Sequence, residues 1–239
     1  MIRIVVSGAL GRMGKRIIAL AEKNRNLKIA GKLEKDRHPD SGIINDLRKI
    51  TSDYDCIIEF TTPEATLAHL KVATERKKAM VIGTTGLSDE EINVIREASK
   101  AIPILFSPNM SVGVNVLFSL IGKTAEILGG EYKVRIEESH HIHKKDKPSG
   151  TTKLMVKIVR EKSGKADMAD IPVESIREGE IIGDHDIIFE SEVDTLKISH
   201  SAKTRDIFAL GALKAAEFIV GKEKGLYSMP DVLGLELRK

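Results

Sequence analysis

The sequence predicts an α/β protein with a first domain on a parallel sheet followed by a second α+β domain on an open mixed sheet. Three observations carry that prediction. Short apolar runs alternate with helical stretches from Ile2 to Phe106, a glycine-rich turn follows the first run, and the texture changes after Ser107-Pro108-Asn109. Strands that alternate with helices pair in parallel, because each crossover helix returns the chain to the same end of the sheet.

Strands are predicted at Ile2–Val6, Leu27–Leu33, Cys56–Phe60, Met80–Ile82 and Ile104–Phe106. The helices between them carry their own start signals. Thr62 reads as an N-cap before Pro63 at the first helical position, and Ser88-Asp89-Glu90-Glu91 reads as a capping box. Beyond Asn109, Val114–Leu128 reads as an apolar helix and Tyr132–Ile136 as a strand exposed on one face, since apolar and charged residues alternate along it. Gly150–Lys162 then reads as a helix, while Ile171–Ile176, Ile181–Phe189 and Thr195–Ser199 are strand-like. A last helix over Ile207–Val220 and a terminal segment Tyr227–Leu237 suggest that the chain returns to its first domain.

Composition narrows the partners. A net charge of +3 from 38 basic and 35 acidic residues is too small to imply a nucleic acid or a membrane surface. The single Cys56 lies in an apolar run, which excludes a disulfide scaffold and favours a buried structural thiol in a reducing, cytoplasmic setting. No apolar stretch approaches the ~20 residues needed to span a bilayer, and the apolar start is too short for a signal-peptide core.

Gly8-Ala9-Leu10-Gly11-Arg12-Met13-Gly14 follows the first strand and opens a helix, the context in which a glycine turn binds a pyrophosphate. Glycines permit a tight turn and close backbone approach, and the helix N-terminus offers free N–H groups. Glu34 stands twenty positions past Gly14 at the end of the second strand, where a carboxylate accepts hydrogen bonds from an adenosine ribose. Together these mark the first domain as Rossmann-like. Lys35 can meet a 2′-phosphate, so the pair suggests use of both NADH and NADPH; the competing reading of Lys32, Glu34, Lys35, Asp36 and Arg37 is a solvated charge run. The loops Gly83-Thr84-Thr85-Gly86 and Ser107-Pro108-Asn109-Met110 fall at carboxyl ends of predicted strands and can line the nicotinamide half, or they are ordinary turns.

The segment Glu137–Thr151 holds three of the seven histidines and three lysines just before a helix. His140, His141, Lys144 and Lys145 supply positive charge and transferable protons, and Gly150 and Thr151 offer a helix start to a carboxylate. A small dicarboxylate suits that chemistry. Metal binding by His140, His141 and His143 is the rival reading; it is disfavoured because neighbours on an extended strand point to opposite sides and nearby lysines repel a cation, so no metal is expected. Nucleic-acid contact lacks interleaved aromatics.

Several motifs in order resemble the dihydrodipicolinate reductase family over nearly the whole chain: the glycine turn, Glu59-Phe60-Thr61-Thr62-Pro63, Val81–Gly86, Asn109-Met110-Ser111-Val112-Gly113-Val114-Asn115, the loop Glu138–Thr151, Arg205–Ala212 and Gly225–Leu233. The resemblance implies an NAD(P)H-dependent reduction on the route to diaminopimelate and lysine. It places Gly8, Ala9, Leu10, Gly11, Arg12 and Met13 on the pyrophosphate, Glu34 and Lys35 on the adenosine ribose, and Gly83, Thr84, Thr85, Ser107, Pro108, Asn109 and Met110 on the nicotinamide half. His140 and Lys144 become the proton-transferring residues, with His141, Gly150 and Thr151 on the substrate's carboxylates. It further implies a nucleotide domain of residues 1–110 and 206–239, a catalytic and oligomerising domain of residues 111–205, a hinge between them and a homotetramer. Two departures stand out: the stretch Gly164–Glu178 is shorter than in many relatives, and Thr152 replaces a customary alanine. Neither is expected to touch the chemistry.

Overall fold

The computed structural model describes residues 1–36, 42–164 and 171–235. The chain divides into two compact units, Met1–Val112 with Asp206–Arg238, and Gly113–Arg205. In the first unit β1 (Ile2–Ser7), α1 (Arg12–Ala21), β2 (Leu27–Leu33), β3 (Ile43–Ile44), β4 (Cys56–Glu59), α2 (Pro63–Glu75), β5 (Ala79–Ile82), α3 (Asp89–Ser99) and β6 (Pro103–Phe106) follow one another. Next come α4 (Val112–Leu128), β7 (Lys133–His140), α5 (Gly150–Lys162), β8 (Val173–Arg177), β9 (Asp184–Glu190) and β10 (Thr195–Ser201). The chain closes with α6 (Asp206–Ile219), β11 (Gly225–Tyr227) and α7 (Met229–Leu233).

The first unit's seven strands pair in parallel in the order β11-β6-β5-β4-β1-β2-β3. Every residue of β4 and β5 is buried, as continuous apolar runs require when helices cover both faces of a sheet. Ile17, Ala209, Ala212 and Ala216 of α1 and α6 pack on one face against Ile4, Ile58 and Val81. Leu70, Val72 and Ile95 of α2 and α3 cover the other against Val5, Ile57 and Met80. Gly211 lets α6 lie directly on the backbone at Met110, since a Cβ there would sit 1.7 Å from the Met110 carbonyl oxygen. Arg16 of α1 pairs with Asp206 at the start of α6 and ties the late segment to the early one.

Both predicted helix starts form. Thr62 Oγ1 accepts the Ala65 N–H, and Ser88 and Glu91 cap each other's backbone. The short strands β3 and β11 escaped the sequence reading, because two or three residues carry no measurable period; each exists through pairing, Lys32 with Ile43 and Leu226 with Ile104. Arg37 and the end of the predicted Tyr227–Leu237 segment lie outside the described residues.

The second unit's sheet runs β10-β9-β7-β8, with β7 and β8 parallel and the other pairs antiparallel. Val134, Ile136, Ile187 and Phe189 face Leu117 and Ile121 of α4 and Met155 and Val159 of α5. Strand β7 runs four residues beyond the predicted Ile136, and its alternation persists: Val134, Ile136, Glu138 and His140 are buried in turn. Its buried face therefore changes from apolar to ionisable partway along.

Candidate active site

In the first unit the chain turns from one side of β1 to the other between β2 and β4, the position where open α/β sheets take ligands. Gly8, just past β1, has φ +69, and its N–H-rich turn closes with the Gly11 N–H donating to the Gly8 carbonyl at 2.9 Å. A Cβ on Gly14 would lie 2.0 Å from that same carbonyl oxygen, so the turn can form only on glycine. Helix α1 starts at Gly11 with no side-chain cap, leaving its first N–H groups for an anion. The cradle fits a pyrophosphate. Beside it a cleft of about 770 Å³ is lined by Gly8, Glu34, Lys35, Thr61, Pro63 and His69. Glu34 reaches back across the cleft's edge to accept the Leu10 N–H at 2.9 Å and the Lys35 N–H at 3.0 Å.

Beneath this cleft lies a network without a role in the sequence reading. Glu59 is fully buried and accepts hydrogen bonds from His69 Nδ1 at 2.6 Å and from the Thr61 hydroxyl. Ser7 Oγ lies 3.3 Å from the same histidine nitrogen. On the loop after β5, Thr84 is buried with its hydroxyl 2.8 Å from that of Thr66, and Thr85 is exposed. Gly83 admits the Phe60 ring, which a Cβ would meet at 2.3 Å. Ser107 Oγ donates to the Asn109 carbonyl at 2.8 Å, and Asn109 Oδ1 accepts the Ser111 N–H at 2.9 Å. Met110 is a core residue, so it can present only its backbone to a ligand. At the glycine turn Leu10, Gly11 and Arg12 are exposed, whereas Ala9 is buried and Met13 packs on the core.

The second unit gathers its ionisable groups on the buried face of its sheet. Glu138 of β7 is 1% exposed. It accepts the Ser149 N–H at 3.1 Å, the Thr152 hydroxyl at 2.9 Å and Arg177 Nη2 at 2.9 Å. Burial, the largest single influence, opposes ionisation, but these donors together hold the Glu138 carboxyl at about 2, so it is an anion at neutral pH. His140 follows two residues on, its Nδ1 3.5 Å from Glu138 Oε2. Burial lowers the pKa of His140; Glu138 opposes that shift and the charges of Lys144 and Arg177 add to it. Gly183 leaves room for the ring, since a Cβ there would stand 3.1 Å from His140 Nε2.

Around this core, Lys144 pairs with Asp146 at 2.8 Å. His141 is half-buried, with its N–H donating to the Ile181 carbonyl at 2.7 Å, and His143 is exposed. Ser149 caps α5 by accepting the Thr152 N–H, so Gly150 and Thr151 occupy the first two helical positions. The structure thus brings His140, Lys144 and the α5 start onto one stretch anchored by Glu138.

Three residues that sequence reasoning missed complete this arrangement: Arg177 and His185 from β8 and β9, and Gly183. The group of metal-ligand type that assembles among the described residues is Glu138, His140 and His185, with ligand atoms within 4.8 Å of one another, and not His140, His141 and His143. Both Glu138 oxygens are already engaged and a guanidinium sits against them, which opposes a divalent cation. Thr152, one of the two departures noted in the sequence, donates its hydroxyl to the carboxylate that flanks His140.

A doubly wound parallel sheet with a glycine cradle, joined to a unit that concentrates a buried histidine, a carboxylate and cations, defines the class of two-domain dinucleotide-dependent enzymes. The particular branch follows from comparison with known proteins. The family models for dihydrodipicolinate reductase match in order, the N-terminal one over residues 2–110 and the C-terminal one over residues 113–233, and the chain belongs to that family. It is 38% identical over 265 residues to a 4-hydroxy-tetrahydrodipicolinate reductase of Syntrophus aciditrophicus, covering 98% of this chain and 99% of the relative. It is 40% identical over 267 residues to that of Trichlorobacter lovleyi, covering 99% of this chain and 100% of the relative. Among solved structures, a dipicolinate-bound dihydrodipicolinate reductase from Paenisporosarcina sp. TG-14 shares the fold with a TM-score of 0.78 at 23% identity, covering 95% of this chain and 97% of that one. No helix among the described residues is long and apolar enough to cross a membrane.

Proposed function

We propose that the chain reduces 4-hydroxy-tetrahydrodipicolinate, by way of dihydrodipicolinate, to tetrahydrodipicolinate with NADH or NADPH, on the route to diaminopimelate and lysine. The observation that carries this reading is the match to both family models over almost every residue of the chain. Reduced nicotinamide supplies the hydride when bound. Gly8 to Met13 hold the pyrophosphate, Glu34 and Lys35 the adenosine ribose, and Gly83 to Thr85 with Ser107 to Met110 the nicotinamide half.

His140 and Lys144 transfer the proton that completes the reduction, with His141, Gly150 and Thr151 on the substrate's carboxylates. Burial supports the role of His140, because an imidazolium that is held at a lowered pKa gives up its proton readily near neutral pH. The flanking Glu138 anion keeps that imidazolium from being expelled. The start of α5 supports carboxylate binding, since N–H groups at a helix N-terminus attract anions. The same reading places the protein in the cytoplasm as a homotetramer, which light scattering on the purified chain checks.

The test follows oxidation of NADH and NADPH at about 340 nm, with substrate generated from pyruvate and aspartate semialdehyde by the preceding synthase. Synthase-dependent loss of absorbance is expected. Nucleotide binding without turnover would leave a dinucleotide sensor instead. His140→Gln and Lys144→Ala are each expected to lower kcat far more than they weaken NADPH binding.

A further inference from the structure

The buried face of the second unit carries more imidazole than the proposed proton transfer uses. Glu138 pairs across the sheet with His185, and His185 with His200, so one rung of β7, β9 and β10 bears a carboxylate and two histidines. His185 is 4% exposed, and neither of its ring nitrogens has a hydrogen-bond partner among the described residues. Its ring meets that of His140 edge to face, centroids 5.1 Å apart at 80°. The His200 ring follows at 6.4 Å. A buried imidazole with no partner carries a desolvation cost, so a sheet position that holds one instead of an aliphatic side chain points to a use for its nitrogens.

We propose that His185 is a positioning residue, a neutral imidazole whose lone pair faces the His140 imidazolium and holds it in the orientation from which it delivers its proton. The inference rests on the reading of His140 given above. In the step it serves, the N–H bond of the His140 imidazolium breaks, its proton forms the new C–H bond at the electron-rich ring carbon left by reduction, and His140 ends neutral. Glu138 cannot serve alone, because its oxygens are committed to Ser149, Thr152 and Arg177. His140 and His185 nitrogens lie within 4.8 Å of each other, a span that one solvent molecule can bridge.

The groups facing this pair decide which histidine takes the proton. Around His185 stand His140 and Glu138 on β7, Asp184 beside it and His200 on β10; around His140 stand Arg177 on β8 and Lys144 and Asp146 in the loop before α5. Burial and then the His140 charge push His185 down to about 4, so His140 titrates first and His185 stays neutral beside it. A neutral neighbour is a hydrogen-bond acceptor where a charged one would repel.

The test compares His185→Phe, which keeps a ring and removes both nitrogens, with His185→Gln, which keeps a carbonyl acceptor and loses the ring. The His140 titration is read by imidazole NMR in the free protein and by the pH profile of kcat/KM. In His185→Phe the His140 pKa is expected to fall by about half a unit or more, moving the alkaline limb of the profile to lower pH. Its kcat should fall roughly tenfold with KM for the substrate nearly unchanged. His185→Gln should recover most of both. A merely space-filling role gives the opposite order, with Phe active and Gln impaired, and would overturn the proposal. If His185→Phe does not fold, the unaltered protein still decides: His185 ring shifts should follow the His140 transition while His185 itself stays neutral until the pH nears about 4, and shifts that stay flat through the His140 transition would overturn it. Failure of the underlying reading shows separately, as full turnover in His140→Gln.

Discussion

Replacing Gly183 by alanine adds one methyl group at a site with no backbone strain, since Gly183 is not among the positive-φ glycines. That methyl would stand 3.1 Å from His140 Nε2, 3.4 Å from His140 Cδ2 and 3.5 Å from His185 Cε1. Comfortable carbon contacts lie near ~3.5–4.0 Å, so the His140 ring must yield by roughly 0.3–0.5 Å. A misplacement of about 1 Å at a reacting group costs up to ~100-fold, which scales to a fall in kcat of roughly three- to tenfold for Gly183→Ala. Thermal melting should register the crowding as about 1 kcal/mol or less, and NADPH affinity measured by calorimetry should not change. The synthase-coupled assay reads kcat directly. A folded variant with kcat within twofold of the parent would refute the argument, because it would show that the ring position set by Gly183 does not limit proton delivery.

Gly14→Ala should act on the other half of the chemistry. With its Cβ 2.0 Å from the Gly8 carbonyl, the turn cannot close, so calorimetry should show at least ~100-fold weaker NADPH binding and unfolding a loss of roughly 1–3 kcal/mol. Acid should unfold the protein in two stages. His185 falls from the ordinary 6.5 to about 4 in the folded state, so the unfolded chain takes up the proton first; the stability held by the neutral ring is complete above pH 6.5 and is lost on the way down to about pH 4. That shift is worth about 3 kcal/mol, and Glu138, held at about 2, adds a comparable loss at lower pH. Urea midpoints at neutral pH and at about pH 4.5 measure the first stage, and His185→Phe should flatten it. An unchanged midpoint would contradict a neutral buried His185.

The parallel sheet was legible because Val5–Val6 of β1, Cys56–Ile58 of β4 and all of β5 are buried and read as short apolar runs, and because Thr62 and Ser88 announce their helices locally. The glycine turn was legible for the same reason: Gly8 and Gly14 answer a local steric demand. The histidine- and lysine-rich stretch Glu137–Thr151 was legible as composition but not as architecture. Had the alternation that begins at Val134 been followed past Ile136, it would have put Glu138 and His140 on the core face, where a carboxylate needs partners. Arg177, Gly183 and His185 gave no such signal, since their meaning comes from strand pairing across up to 47 positions, such as Glu138 with His185. The Glu59–His69 pair was hidden likewise by the turn from β4 into α2.

Helix α6 carries a consequence for the order in which the molecule can be made. One face of the seven-stranded sheet has much of its cover from Ala209, Ala212, Leu213, Ala216 and Ile219, residues synthesised after the whole of the second unit. A nascent chain that has reached β6 therefore carries a sheet with one apolar face covered only in part, by α1, and it must carry it through about a hundred further residues of synthesis before α6 begins, several seconds at ~5–20 residues per second. The second unit, continuous in sequence, is free to fold within that interval. The nucleotide fold is thus the first begun and the last finished, and chaperone dependence in translation should track residues 1–205 and end once α6 emerges.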